Sequence, residues 1–248
     1  MLCGMAIWDG LLTSDEQAVF NTFIRPKPLG KRPAVLVVDV NYAFVGLKPE
    51  NIVDSVKDYR TSCGERGWRG VAYIKVLLET SRDLGIPTIY TTGLHPTRRG
   101  AHWANRARSE ASLSLLTPDE LEHQRLGNRI VDDIAPRPGD TIVQKRGPSA
   151  FFGTPLVSYL NELDVDTLIV TGTTTSGCVR ATVVDGAAYN YYVGVVEECC
   201  FDRFDISHRV SLMDMHAKYG QVLTLAGAQE YLRSADAALP KPQAAALA

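Results

Sequence analysis

The chain has 248 residues and a mass of 27.2 kDa, with 26 Lys plus Arg, 28 Asp plus Glu and 45% hydrophobic residues. A net charge of −2 argues against a generally basic nucleic-acid binder, and no apolar run approaches the roughly 20 residues that span a bilayer. The five cysteines, Cys3, Cys63, Cys178, Cys199 and Cys200, are odd in number and lack CxxC spacing; with no basic leader in residues 1–10, they lead us to expect a cytoplasmic globular protein with reduced thiols, no disulfide framework and no thiolate zinc site.

Residues 1–32 are mixed in character, end in RPKPLGKRP and read as an N-terminal arm suited to subunit contact. The run AVLVVDV (34–40) is the first expected strand. Val71, Ile74, Leu77, Leu78 and Leu84 share one helical face, and Gly85-Ile86-Pro87 stops that helix. IPTIYT (86–91) is the second strand, and the segment 93–110, rich in Arg, His, Gly and Trp, leaves its end as a candidate lid. Next come a strand TIVQ (141–144), a short helix over 154–163 with Pro155 in its first turn, and a strand TLIVT (167–171). A helix over 178–189, a strand YVGVV (192–196), a helix over 207–219 with Ser207 as N-cap and a strand QVLT (221–224) follow. A last helical turn covers 228–233, and residues 234–248 form a low-complexity, flexible tail.

Continuous apolar runs point to parallel strands covered on both faces. The fold expected is therefore α/β: a doubly wound, mostly parallel six-stranded sheet with helices on both faces, formed by one domain over 33–233.

Ligands of such sheets bind beyond the carboxyl ends of the strands, and three reactive side chains fall there. Asp39 interrupts an aliphatic run, where a carboxylate is costly unless paired; otherwise it caps the loop 41–46. Lys145 directly follows TIVQ, where a lysine can also simply reach solvent. Cys178 follows the turn TGTTTSG at the start of a helix, a place that favours the thiolate, although a buried, inert cysteine is the plainer alternative. The turn has the GxxxxG spacing of a phosphate-binding loop but lacks the following Lys and Ser/Thr, and no GxGxxG follows a strand. No HExxH or close His pair marks a metal site. His208 and His216 lie on the helix over 207–219, and nothing in the sequence brings either to Cys178.

Asp39, Lys145 and the segments QKRGPSAFFGT (144–154) and TGTTTSGCVRATVVDGAAYN (171–190) together resemble the isochorismatase-like cysteine hydrolase superfamily, in its N-carbamoylsarcosine amidohydrolase and maleamate amidase branch. The resemblance runs from about 32 to 232. It implies an Asp39–Lys145–Cys178 triad, a cis peptide at Thr173–Thr174, and an oxyanion hole from the N–H groups of Thr174 and Cys178. Substrate contacts would come from Thr173, Thr174 and Arg203, the last binding a carboxylate; as a surface residue it would instead pair with Asp202 or Asp205. Phe44, Phe151, Phe152 and Trp103 are candidate apolar walls. The Asp-x-His zinc pair of nicotinamidases is missing from 41–44, so no metal and no cofactor is expected. The activity implied is hydrolysis of a small, carboxylated amide or ureido compound by a homo-oligomer, without nucleic-acid or membrane partners. A non-catalytic binding protein on the same fold, a nucleotide-dependent enzyme and a thiol redox protein are the readings from other classes.

Overall fold

The structure is a computed structural model that describes residues 6–25, 27–93 and 117–238. Six strands form one sheet: β1 (Pro33–Val38), β2 (Thr88–Gly93), β3 (Thr141–Lys145), β4 (Thr167–Thr173), β5 (Tyr192–Phe201) and β6 (Gln221–Leu223). Their order is β3-β2-β1-β4-β5-β6, and all pairings are parallel. The helices are α1 (Ser14–Phe23), α2 (Tyr42–Val45), α3 (Ile52–Asp58), α4 (Glu65–Asp83), α5 (Pro118–Asn128), α6 (Leu156–Glu162), α7 (Arg180–Ala188), α8 (Asp205–Lys218) and α9 (Leu225–Ala238).

The two central strands, β1 and β4, are buried along their whole length, while edge strand β6 is only half-buried. That gradient explains why the centre of the sheet reads as unbroken aliphatic sequence. Alternate residues of β1 enter two cores. Val35 and Val37 pack with Val71, Ile74, Leu77 and Leu78 of α4 and Ala228 and Leu232 of α9. Ala34, Leu36 and Val38 pack with Leu156 and Leu160 of α6, Val183 of α7 and Leu212 and Met215 of α8. The chain builds outward from β1 through β2 to β3, then returns to lay β4 on the other side of β1. The winding therefore reverses between β1 and β4, and a crevice opens at their carboxyl ends.

Several elements differ from the sequence-based expectation. The sheet is wholly parallel. β5 continues through Phe201 because a register shift between Val170 and Gly172 lets Cys200 and Phe201 pair with Gly172 and Thr173. The acidic pair Glu197–Glu198 does not end it; Glu198 Oε2 accepts the N–H of Leu225 at 2.7 Å. α8 starts at Asp205 after Phe204, with no side-chain cap, so Ser207 lies inside the first turn and is not the N-cap. α4 starts at Glu65, ahead of the first periodic apolar residue, and α1, α2, α3 and α5 are additional helices. Two of these carry capping boxes, Thr13 with Glu16 and Thr117 with Glu120.

The described part of residues 1–32 lies mostly on the second core, with Leu29 packed on the first. Trp8 is buried against Phe20 and His216. Arg209 donates to the carbonyls of Ile7 and Asp9, both at 2.7 Å, and Lys27 Nζ to those of His216 and Ala217 at 2.8 and 2.9 Å. No helix among the described residues is long and apolar enough to cross a membrane.

Candidate active site

β1 delivers Asp39 to the crevice in a left-handed backbone conformation, φ 54°, a region that Asp tolerates better than most residues. Thr91, on neighbouring β2, holds it there. The backbone N–H of Asp39 donates to the carbonyl and hydroxyl oxygens of Thr91 at 3.2 and 3.1 Å, and the Thr91 hydroxyl donates to Asp39 Oδ1 at 2.8 Å. Asp39 Oδ2 lies 2.6 Å from Lys145 Nζ at the end of β3, with both side chains about 95% buried. Lys145 Nζ also donates to the carbonyls of Gly147 and Pro148, each at 3.0 Å. An ammonium has three protons, and these three acceptors match them. Burial alone would lower the Lys145 pKa, but the adjacent Asp39 and Cys178 outweigh it and hold the pKa above the ordinary lysine value.

Cys178 comes from the turn after β4. The Thr173–Thr174 peptide is cis, and residues Thr175–Val179 form a single π-helical turn that feeds α7. Two glycines permit this path. Gly172, at φ 106°, is so close to the backbone of Val38 that a β-carbon would collide with it, and a β-carbon on Gly177 would lie 2.6 Å from Thr174 Oγ1. Buried Asp202 fixes the turn from beneath: Oδ2 accepts the N–H and hydroxyl of Ser176 at 2.8 and 2.7 Å, and Oδ1 accepts the N–H of Arg203 at 2.8 Å.

Asp39 and Lys145 both act on the Cys178 thiol. Burial, then the carboxylate of Asp39, push its pKa up to about 12, against the opposing pull of Lys145. This differs from the expectation that the start of a helix would stabilise the thiolate. At neutral pH the site holds a neutral thiol beside a carboxylate and an ammonium. Such a trio can transfer the thiol proton to the carboxylate as sulfur attacks, with the ammonium fixing the carboxylate.

The three side chains line a cavity of about 540 Å³ together with Asn41, Phe44, Thr174 and Arg203. Arg203 forms no ion pair with Asp202 or Asp205 through its guanidinium; it donates to the carbonyl of Thr61 at 2.8 Å. Other expected contacts go elsewhere. Phe151 is a core residue stacked on Tyr189, with ring centroids 5.3 Å apart, and does not line the cavity. Thr173 is fully buried with its hydroxyl 3.8 Å from Cys63 Sγ, and Phe152 is exposed to solvent. Trp103, and the candidate lid beyond Gly93, lie outside the described residues. His208 bonds Thr175 through Nδ1 at 2.8 Å, and His216 accepts the N–H of Val222; neither lines the cavity.

The sequence reading gave no site role to Asn41, Arg146 or the wall from α5 and its neighbour α3. There the His123 ring stacks on Tyr59 at 4.2 Å, and Gly127 and Asn128 close the side. The capping box at Thr117–Glu120 was the available signal for α5. Among the described residues, no three His, Cys, Asp or Glu side chains are grouped to hold a metal ion.

Residues 33–227 match the model of the isochorismatase domain. A maleamate amidohydrolase from Pseudomonas putida is 32% identical over 160 residues, which is 63% of this chain and 71% of that one. An N-carbamoylsarcosine amidase from an Arthrobacter species is 33% identical over 156 residues, covering 62% of this chain and 58% of that protein. The solved structure of a cysteine hydrolase from Pseudomonas syringae pv. phaseolicola 1448A superposes with a TM-score of 0.67 at 25% identity, covering 86% of this chain and 97% of that one. The parallel sheet, the crevice at its reversal point and a family match over most of the chain lead to one assignment: this protein belongs to the isochorismatase-like hydrolase family.

Proposed function

We propose that the protein is a cysteine-dependent amidohydrolase that cleaves a linear amide or N-carbamoyl group of a small carboxylated substrate and releases ammonia, in the manner of an N-carbamoylsarcosine amidase. The observation that carries this reading is the buried contact of one thiol with one carboxylate and one fully engaged ammonium. Asp39 takes the thiol proton while Cys178 Sγ attacks the substrate carbonyl. The oxyanion sits against the N–H groups of Thr174 and Cys178, where losing one donor costs about 3–4 kcal/mol of barrier. The tetrahedral centre collapses, the C–N bond breaks, and protonated Asp39 hands its proton to the departing ammonia. A thioester remains, or a thiocarbamate from a ureido substrate. Asp39 then draws a proton from water as the water attacks, and the acid leaves with the thiol restored.

Arg203, held at the cavity wall by Thr61, supports the carboxylate in this reading. The relatives named maleamate amidohydrolase and N-carbamoylsarcosine amidase supply the substrate classes to try first. An ammonia-release screen over N-carbamoyl amino acids, maleamate, biuret and simple amides tests it. The expected result is release from a carboxylated member by the wild-type protein and none by Cys178→Ala, with an acid-trapped adduct on Cys178. Turnover by Cys178→Ala, or an adduct on Cys63 or Cys200, would overturn the reading.

A further inference from the structure

A second cavity, of about 380 Å³, shares no lining residue with the first. Two of its lining side chains reach the turn that carries Cys178: Asp202, which grips Ser176, and His208 of α8, whose Nδ1 lies 2.8 Å from Thr175 Oγ1. Thr175 is completely buried, and among the described residues its hydroxyl has no partner but His208. A hydroxyl brings one proton, and an imidazole nitrogen either carries a proton or receives one. If Nδ1 carried a proton, Thr175 Oγ1 would have to accept it, and the hydroxyl proton would be buried without an acceptor, which is costly. The arrangement that satisfies both groups is a neutral ring with Nδ1 as the acceptor and the proton on Nε2. The surroundings favour that charge state. Burial holds the His208 pKa below the ordinary histidine value; Asp202 after β5 and Asp205 of α8 pull it back, and Arg66 and Arg69 of α4 add to the lowering. Glu197 and Glu198 of β5 face the same cavity. The ring is therefore neutral at pH 7, as the hydrogen bond requires.

We propose that neutral His208 is a positioning residue: by accepting the Thr175 hydroxyl it fixes the turn that presents the Cys178 thiol and the Thr174 N–H to the substrate. The inference rests on the amidohydrolase reading above. The turn is held at three successive residues. The carbonyl of Thr174 accepts the N–H groups of Gly177 and Val179 at 2.9 and 3.2 Å, His208 holds Thr175, and Asp202 holds Ser176. The first set lies within the turn itself, so His208 and Asp202 are the side chains that tie it to α8 and to the end of β5. A shift of about 1 Å in a reacting group can cost on the order of 100-fold in rate. Acid that protonates the ring turns Nδ1 into a donor, and the Thr175 anchor is lost. Arg203 is held separately, through Asp202 and the carbonyl of Thr61. Loss of the His208 anchor should therefore lower kcat and leave KM nearly unchanged.

The test uses the amide or ureido compound identified by the ammonia-release screen, with kcat taken per folded protein. His208→Leu and Thr175→Val each remove one half of the bond, and each should lower kcat about tenfold or more while changing KM less than about threefold. Combined in one protein, they should lower kcat no further than either alone, because one bond is lost in all three variants. His208→Asn places an amide oxygen where Nδ1 stands, an acceptor that does not titrate. It should keep kcat within about threefold of the wild type at pH 7. The wild-type kcat should fall once the pH drops below the ordinary histidine pKa, and in His208→Asn that fall should move to lower pH. Unchanged kcat in His208→Leu or Thr175→Val, losses that multiply in the double variant, or an acid limb that stays in place in His208→Asn would overturn the proposal. Should His208→Leu fail to fold, Thr175→Val and His208→Asn decide it by the same outcomes. A screen without ammonia release from any compound sinks the amidohydrolase reading and this inference together, whereas ammonia release with kcat unchanged in the variants sinks only this inference.

Discussion

Lys145 has Asp39, Gly147 and Pro148 as partners for its three ammonium protons, and Asp39 draws its pKa upward. A cation held so firmly is a fixed charge, which in the proposed mechanism leaves Asp39 as the group that moves the proton. After burial, the charge of Asp39 is the main influence keeping Cys178 protonated, and Lys145 pulls the other way. Asp39→Asn should therefore abolish turnover yet lower the thiol pKa, because the lysine cation then acts unopposed. Iodoacetamide should alkylate Cys178 faster in this variant than in the wild type at pH 7–8. In the wild type, the alkylation rate should climb about tenfold per pH unit between pH 9 and 11. Slower alkylation of the variant would show that Asp39 is not what retains the proton. The position of Cys178 after a glycine-bounded turn was legible in the sequence. Its protonation state was not, because burial and the approach of Asp39 arise from strands far apart in the chain.

At the level of elements, the end of β4 decides where the nucleophile turn goes. Gly172 passes against the backbone of Val38 with φ 106°, and Val38 precedes Asp39. Any side chain at Gly172 pushes β4 away from β1 and spreads the thiol from its carboxylate. Gly172→Ala should destabilise the fold by at least about 2 kcal/mol in urea unfolding. It should also lower kcat/KM by more than the loss of folded protein explains; unchanged stability would remove Gly172 from this role. The six strands were readable because β1 and β4 are apolar on both faces. The far end of β5 was not, since Glu197–Glu198 looks like a strand end until the shifted register beside Gly172 is known. α5 was hidden for another reason: Gly127 is its only buried residue, so it has no apolar stripe to detect, and only the Thr117–Glu120 capping box marked its start. The α5 wall of the cavity was missed with it.

At the scale of the whole molecule, four thiols among the described residues are pushed toward the protonated form by folding. Burial raises Cys63 and Cys178 to about 12, and raises Cys199 and Cys200 strongly as well. The sign of the effect on stability follows. In the unfolded chain these thiols ionise near pH 9, while the native protein keeps its protons, so above pH 9 the native state binds more protons and stability falls as pH rises. Below pH 8 the contribution is complete and flat. Each thiol adds a slope of up to about 1.4 kcal/mol per pH unit. Urea midpoints should drop steadily from pH 9 to 10.5, and Cys200→Ala should reduce that slope whatever it does to stability at pH 7. A pH-independent midpoint over this range would contradict the burial of these groups. The neutral thiol at Cys178 has one more consequence, outside folding and turnover. Peroxide attacks thiolates and largely spares thiols. If Cys178 is the nucleophile proposed above, ionised only at the moment of attack, it is passive toward oxidants between reactions, so inactivation by hydrogen peroxide should be slow at pH 7 and rise in step with alkylation as pH increases. The carboxylate proposed to ready the sulfur for one substrate also keeps it quiet toward everything else.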